Sequence, residues 1–192
     1  MTAFPSKLSS VGYNCLQAGK WHQGLATADH TPKGRGYASS LTYLDGANDN
    51  WQYTTGNWCG KDVYTDLWAH DAPAFGQNNS WACSQRNQAE GCRYEDDIFT
   101  NFTIAGIMDH DIKKPMMIYF APHNIHQPLQ VPDAQLAKFA NISTDSQPRQ
   151  YYAAMVNTVD THIGMIVDAL KTRGMWENTL LILSADNGGP GA

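Results

Sequence analysis

The stretch Thr179–Gly189, TLLILSADNGG, constrains this chain more than any other. Four consecutive aliphatic residues, Leu180 to Leu183, stop at Ser184-Ala185-Asp186-Asn187-Gly188-Gly189. A run this short and this apolar predicts a strand buried on both faces, as in parallel sheets covered by helices. Ligands of such sheets bind just beyond the carboxyl ends of the strands. Asp186 and Asn187 would stand there with adjacent hard oxygens, the donors that Ca²⁺ or Mg²⁺ prefers. The glycines allow a sharp turn or a close approach to a ligand. The alternative for the same residues is a plain Asp-Asn-Gly-Gly turn after a strand.

Two further apolar runs end in chemically active residues. Tyr13–Ala18 reads as a short strand, followed by a loop Gly19-Lys20-Trp21-His22. On an extended segment Lys20 and His22 point to one side, which makes an anion site; a solvated lysine beside a packed Trp and His is the alternative. Met116–Ala121, MMIYFA, reads as a second buried strand, followed by Pro122-His123-Asn124-Ile125-His126-Gln127-Pro128. A histidine there can donate to an anion or a leaving group, or simply bond to backbone.

Helices fill the spaces between. A short, weakly amphipathic piece spans Pro5–Val11. Tyr94–Ile112 has helical spacing, with Asp96 and Asp97 where negative charge suits the N-terminal dipole. Asp133–Ala140 is a short surface helix. Gln150–Arg173 is the longest, with Tyr152, Met155, Val156, Val159, Ile163, Ile166, Val167 and Leu170 as its expected buried stripe. Helix and strand in alternation predict an α/β fold with parallel strands. Thr31–Tyr37, TPKGRGY, is a turn-rich loop, and residues 38–93 read as an irregular, loop-rich excursion. Its tryptophans, Trp51, Trp58, Trp68 and Trp81, either stack on a sugar or aryl ring or form a local mini-core.

A net charge of −5 without a basic block excludes a general nucleic-acid binder. No apolar run approaches the ~20 residues of a membrane span. Of the four cysteines, Cys83 and Cys92 can close a short loop; a zinc site lacks its CxxC or HxxxH spacing. N-glycosylation acceptor patterns occur at Asn78, Asn101 and Asn141. Together with a disulfide they point to a secretory route, lysosomal or extracellular, although MTAFPSKLSS lacks the features of a signal peptide.

If the three strands are parallel, Lys20/His22, His123/His126 and Asp186/Asn187 meet on one sheet edge. Cation, imidazole and hard-metal ligands together suit a tetrahedral oxyanion ester, sulfate or phosphate. At this point the sequence resembles the sulfatases. GYNCLQAGKWHQG (Gly12–Gly24) is similar to their Gly-Lys-Trp-His signature and TPKGRGY to the loop after it. APHNIHQPLQVP (Ala121–Pro132) resembles their active-site histidine loop, and LLILSADNGG their metal-binding strand end. Order and spacing resemble the arylsulfatase B-like branch, in which the Cys83/Cys92 region also carries a disulfide.

The resemblance implies an alkaline-phosphatase-like α/β fold, a mixed, mostly parallel sheet flanked by helices. It implies a sulfuric ester hydrolase acting on a sulfated small molecule or glycan. Lys20 and His22 would contact the sulfate and the activated nucleophile, His126 the ester or leaving group, and Asp186 and Asn187 would bind Ca²⁺. The family nucleophile is a formylglycine made from a cysteine in a Cys-x-Pro-Ser-Arg context, and no such context occurs here. The paired N-terminal aspartates of the metal site and a later lysine are absent too. Residues 1–192 therefore read as a partial, incomplete catalytic domain, expected to hydrolyse nothing when made alone. The rival readings are a phosphoester hydrolase of the related superfamily and a non-catalytic anion-binding protein.

Overall fold

The computed structural model describes residues 3–56, 63–74, 83–142 and 147–188. Helix α1 (Phe4–Ser9) begins with Pro5 in its first turn, where a missing N–H costs nothing. It leads into β1 (Asn14–Lys20). Four short strands and β2 follow: β2 (Ser39–Tyr43), β3 (Thr54–Gly56), β4 (Val63–Thr65), β5 (Trp68–Ala69) and β6 (Ala72–Pro73). Then come α2 (Glu95–Met108), β7 (Met116–Ala121), the single turn α3 (Asp133–Leu136) and the long α4 (Gln147–Thr172).

The main sheet has the order β6-β5-β2-β1-β7, and β3 pairs with β4 separately. β1 runs parallel to both β2 and β7, while β5 and β6 join antiparallel. This is the expected mixed sheet with a parallel centre. β1 alternates as a strand covered on both faces must. Leu16 and Ala18 pack with Leu41, Tyr43, Ile98 and Phe99 on the α2 side. Cys15 packs with Leu8, Tyr37 and Met117 on the α1 side. α2 can lie close because Gly106 has no side chain; a Cβ there would come within 2.3 Å of Leu16.

Several sequence expectations are corrected. β1 reaches Lys20, so the lysine belongs to the strand and not to the loop. Residues 38–93 are not irregular throughout, since they supply β2, which is almost wholly buried. Its Ser and Thr content hid it. Thr42 escapes the usual burial cost because its hydroxyl donates to the Gly19 carbonyl at 2.5 Å. β7 is an edge strand and only half buried.

The stripe of α4 is partly as expected, with Met155, Ile166 and Leu170 buried, and partly different. Ala154, Met155, Thr158, His162, Ile166, Ala169 and Leu170 face inward, whereas Tyr152 and Val156 are exposed. Thr158 and His162 are tolerated inside because Thr158 donates to the Ala154 carbonyl and His162 pairs with Asp97.

The largest correction concerns Leu180–Leu183. Among the described residues the segment has no regular structure and joins no ladder, and its four side chains are 84, 54, 77 and 82 % exposed. Aliphatic content gives a strand its burial only when neighbours cover it. Among the described residues no strand pairs with the outer edge of β7 or with this run.

Candidate active site

The parallel register sets the ends of three strands side by side. Lys20 pairs with Tyr43 and Gly19 with Ala121, so β1, β2 and β7 all finish at one edge. Gly19 is essential to that edge. Its φ is +99°, and a Cβ would fall 1.8 Å from the Ala121 carbonyl oxygen, a space only glycine leaves.

Lys20 ends β1 with its ammonium 3.7 Å from a carboxylate oxygen of Asp186. Two of the expected site residues, 166 positions apart in sequence (186 − 20), thus meet. Asp186 also lies near enough to the Tyr43 phenol for its charge to oppose ionisation there. The Tyr43 hydroxyl is buried without a hydrogen-bond partner among the described residues, and burial is the main cause holding it protonated.

His22 does not follow Lys20 along an extended chain. Its φ is +46°, and its ring lies against Gly46, where a Cβ would be 3.1 Å from Cε1. The turn is pinned from within. Trp21 is buried, its indole N–H donates to the Gly24 and His30 carbonyls, and its ring meets Tyr37 edge-on. Beyond β2, Asp66 takes the backbone N–H groups of Leu44 and Asp45 and the indole of Trp68. Burial raises the Asp66 pKa, and these bonds oppose that rise.

After β7, His126 is exposed, and its Nδ1 lies 2.8 Å from the Gln127 carbonyl. Nδ1 must therefore carry the hydrogen, leaving Nε2 turned away from that bond. His123, by contrast, is buried 3.0 Å from Glu95, with both side chains fully covered. Their rings place the two histidines 6.2 Å apart. Asp96 accepts the backbone N–H groups of His123 and Asn124 at 2.7 and 3.0 Å. Sequence reasoning missed this role of Glu95 and Asp96: it read Asp96, with Asp97, as dipole compensation and did not single out Glu95. The available signal was a run of acids directly after the aromatic Tyr94, itself buried.

Asn187 donates to the neighbouring Gly188 carbonyl, so the tip keeps the form of a turn. Asp186 faces an ammonium rather than further oxygens. Among the described residues no group of three or more His, Cys, Asp or Glu side chains is placed to hold a metal ion. One carboxylate and one carboxamide are oxygen donors of the kind Ca²⁺ takes, but they fall short of its roughly 6–8 oxygens.

Cys83 and Cys92 form a disulfide. It sits in a mini-core with Trp51 and Tyr94, which decides the role of Trp51. Trp68 packs against the Cys15 side of the sheet, and Trp58 and Trp81 lie outside the described residues. Asn101 and Asn141 are exposed; Asn78 lies outside the described residues. No helix among them is long and apolar enough to cross a membrane.

The chain is similar in sequence and in fold to known proteins. Arylsulfatase J of Mus musculus is 30% identical over 188 residues, covering 96% of this chain and 28% of its own length. Ps i-CgsB, solved in complex with k-i-k-neocarrahexaose, superposes with a TM-score of 0.71 at 24% identity, over 91% of this chain and 37% of its own. BT4656, solved with its substrate D-glucosamine-2-N,6-O-disulfate, gives a TM-score of 0.60 at 15% identity, over 91% of this chain and 47% of its own. This chain thus spans less than half the length of each. Because the sulfatase family profile matches residues 1–191, essentially every element described above, the chain belongs to the sulfatase family.

Proposed function

We propose that this chain carries the sulfate-binding part of a sulfuric ester hydrolase acting on a sulfated glycan. The observation that carries the reading is the meeting of Lys20 and Asp186 at the edge where β7 delivers His126. The oligosaccharide and the sulfated glucosamine bound by two structural neighbours support a glycan as substrate class. In this reading the Lys20 ammonium neutralises a nonbridging sulfate oxygen, as a fixed cation does where charge develops. It exchanges its contact with Asp186 for the sulfate. The resemblance gives His22 a further contact to the sulfate, from a ring that lies against Gly46. His126, held by Nδ1–H, turns Nε2 toward the leaving oxygen; when the ring carries both protons, the Nε2 proton passes to that oxygen as a nucleophile bonds to sulfur and the ester bond breaks. Asp186 and Asn187 supply two oxygens of the calcium site that the resemblance implies; they are too few to hold the ion, and no step is assigned to it. The Cys83–Cys92 bridge and the exposed Asn101 and Asn141 support a secretory, lysosomal or extracellular setting.

One observation favours a second reading, a non-catalytic anion-binding protein. No cysteine of this sequence stands in a Cys-x-Pro-Ser-Arg context. Loss of a nucleophile costs about 10⁶ in rate in a serine protease, so this chain alone is expected to bind sulfate without turning over an aryl sulfate. Calorimetric titration with sodium sulfate tests the binding. Lys20→Ala should weaken it about 10-fold, ~1.4 kcal/mol. Absence of saturable sulfate binding to the wild-type chain, or an unchanged affinity in the variant, would sink the assignment. Multiple turnover of an aryl sulfate would refute the non-catalytic reading.

A further inference from the structure

The first turn of α2 and the loop after β7 are joined at three points, Glu95 to His123 and Asp96 to the backbone of both His123 and Asn124. Glu95 meets His123 Nδ1 at 3.0 Å and accepts the Asn48 amide at 2.7 Å. Asp96 accepts the backbone N–H groups of His123 and Asn124. On its other side, His123 Nε2 lies 3.5 Å from the Gln127 carbonyl oxygen. His126 Nδ1 approaches that same oxygen at 2.8 Å. The Gln127 carbonyl is thus shared by a buried histidine and an exposed one.

We propose that Glu95, Asp96 and His123 are positioning residues that fix the ring orientation and tautomer of His126 through the shared Gln127 carbonyl. The chemistry of each atom follows. A ring nitrogen beside a carbonyl oxygen must donate, so His123 Nε2 carries hydrogen. Neutral His123 then has a bare Nδ1, which needs a donor, and a protonated Glu95 provides it. Burial raises the Glu95 pKa and lowers that of His123, and both shifts favour this uncharged pair. The groups that face His123 are Glu95 and Asp96 from α2, Tyr43 from β2, and, at longer range, Lys20 and Asp49. With Nδ1–H of His126 committed to the carbonyl, only Nε2 is left for a ligand. That consequence for sulfate rests on the function proposed above; the tautomer itself does not.

Glutamine at position 95 reproduces the protonated acid. Its oxygen accepts from Asn48, and its amide donates to His123 Nδ1. Leucine at 95 with phenylalanine at 123 removes both members of the buried pair together, and the Asn48 amide that loses Glu95 keeps the Asp66 carbonyl as acceptor. The test is a long-range ¹H–¹⁵N spectrum of the histidines of the ¹⁵N-labelled chain at neutral pH without sulfate, with amide dispersion as the check of fold. Wild type and Glu95→Gln should both show His126 protonated at Nδ1. The folded double variant Glu95→Leu/His123→Phe should revert to the Nε2-protonated form that imidazole prefers in water. Retention of Nδ1–H in that variant would overturn the proposal, as would an Nε2–H His126 in the wild type. If the double variant does not fold, Asp96→Asn, which keeps the side-chain size and weakens only the backbone clamp, gives the reading. A rise in the Nε2-protonated fraction supports the proposal, and an unchanged fraction overturns it. A sulfate titration of the same samples is read separately: wild-type chain that shows the tautomer and ignores sulfate would reject the proposed function and leave this inference standing.

Discussion

Single residues at this edge are held in states that differ from those they adopt in water, and pH exposes the difference. Glu95 has its pKa raised well above the ordinary 4.5 by burial. As pH rises above that value the unfolded chain releases this proton while the folded chain keeps it, so stability falls toward the folded pKa. His123, lowered from 6.5 by burial, acts at the other end. As pH falls below 6.5 the unfolded chain takes up a proton that the folded chain refuses, and stability is lost there too. Glu95→Gln removes only the first effect. Its melting temperature relative to wild type is expected to climb as pH rises above about 5; a constant difference there would contradict the burial argument. Of the residues at this scale, Lys20 and Asp186 were legible because their chemistry stands at the ends of recognisable runs. Glu95 was not, since a carboxylate at a helix start has an adequate explanation on the surface and sequence carries no sign of its burial.

Elements are spaced by glycines whose substitution costs can be ranked. At Gly19 an added Cβ meets backbone, the Ala121 carbonyl, at 1.8 Å, and φ is +99°. Neither β1 nor β7 can move without breaking the ladder between them. Gly19→Ala is therefore expected to destabilise by about 3 kcal/mol or more. At Gly106 the obstacle is the tip of Leu16, a side chain able to turn, so Gly106→Ala should cost about 1 kcal/mol. Urea denaturation of both variants checks the order, and equal losses would show that β1 and β7 are less tightly apposed than described. The strands with aliphatic sequences were readable in advance. β2 was not, because its hydroxyls are satisfied by neighbouring carbonyls, a tertiary fact that no local pattern records.

For the whole molecule, the parallel centre and its flanking helices were legible from the alternation of helix and strand, and the sheet order was not. Periodicity also failed at Leu180–Leu183, because it reports what a segment requires and not whether a neighbour is present to supply it. Four exposed aliphatic side chains on a segment that joins no strand among the described residues invite association between copies. The chain is expected to associate as its concentration rises, and Leu181→Lys/Ile182→Lys should suppress this with a change in stability within about 0.5 kcal/mol, as for other exposed positions. Sedimentation velocity over a concentration series decides it, and unchanged association in the variant would place the contact elsewhere. The same strip bears on the fate of the chain in a cell. Holdase chaperones and proteases sort proteins by exposed greasy segments. A polypeptide displaying this one is treated as unfinished work, so its lifetime depends on how soon another strand comes to cover it.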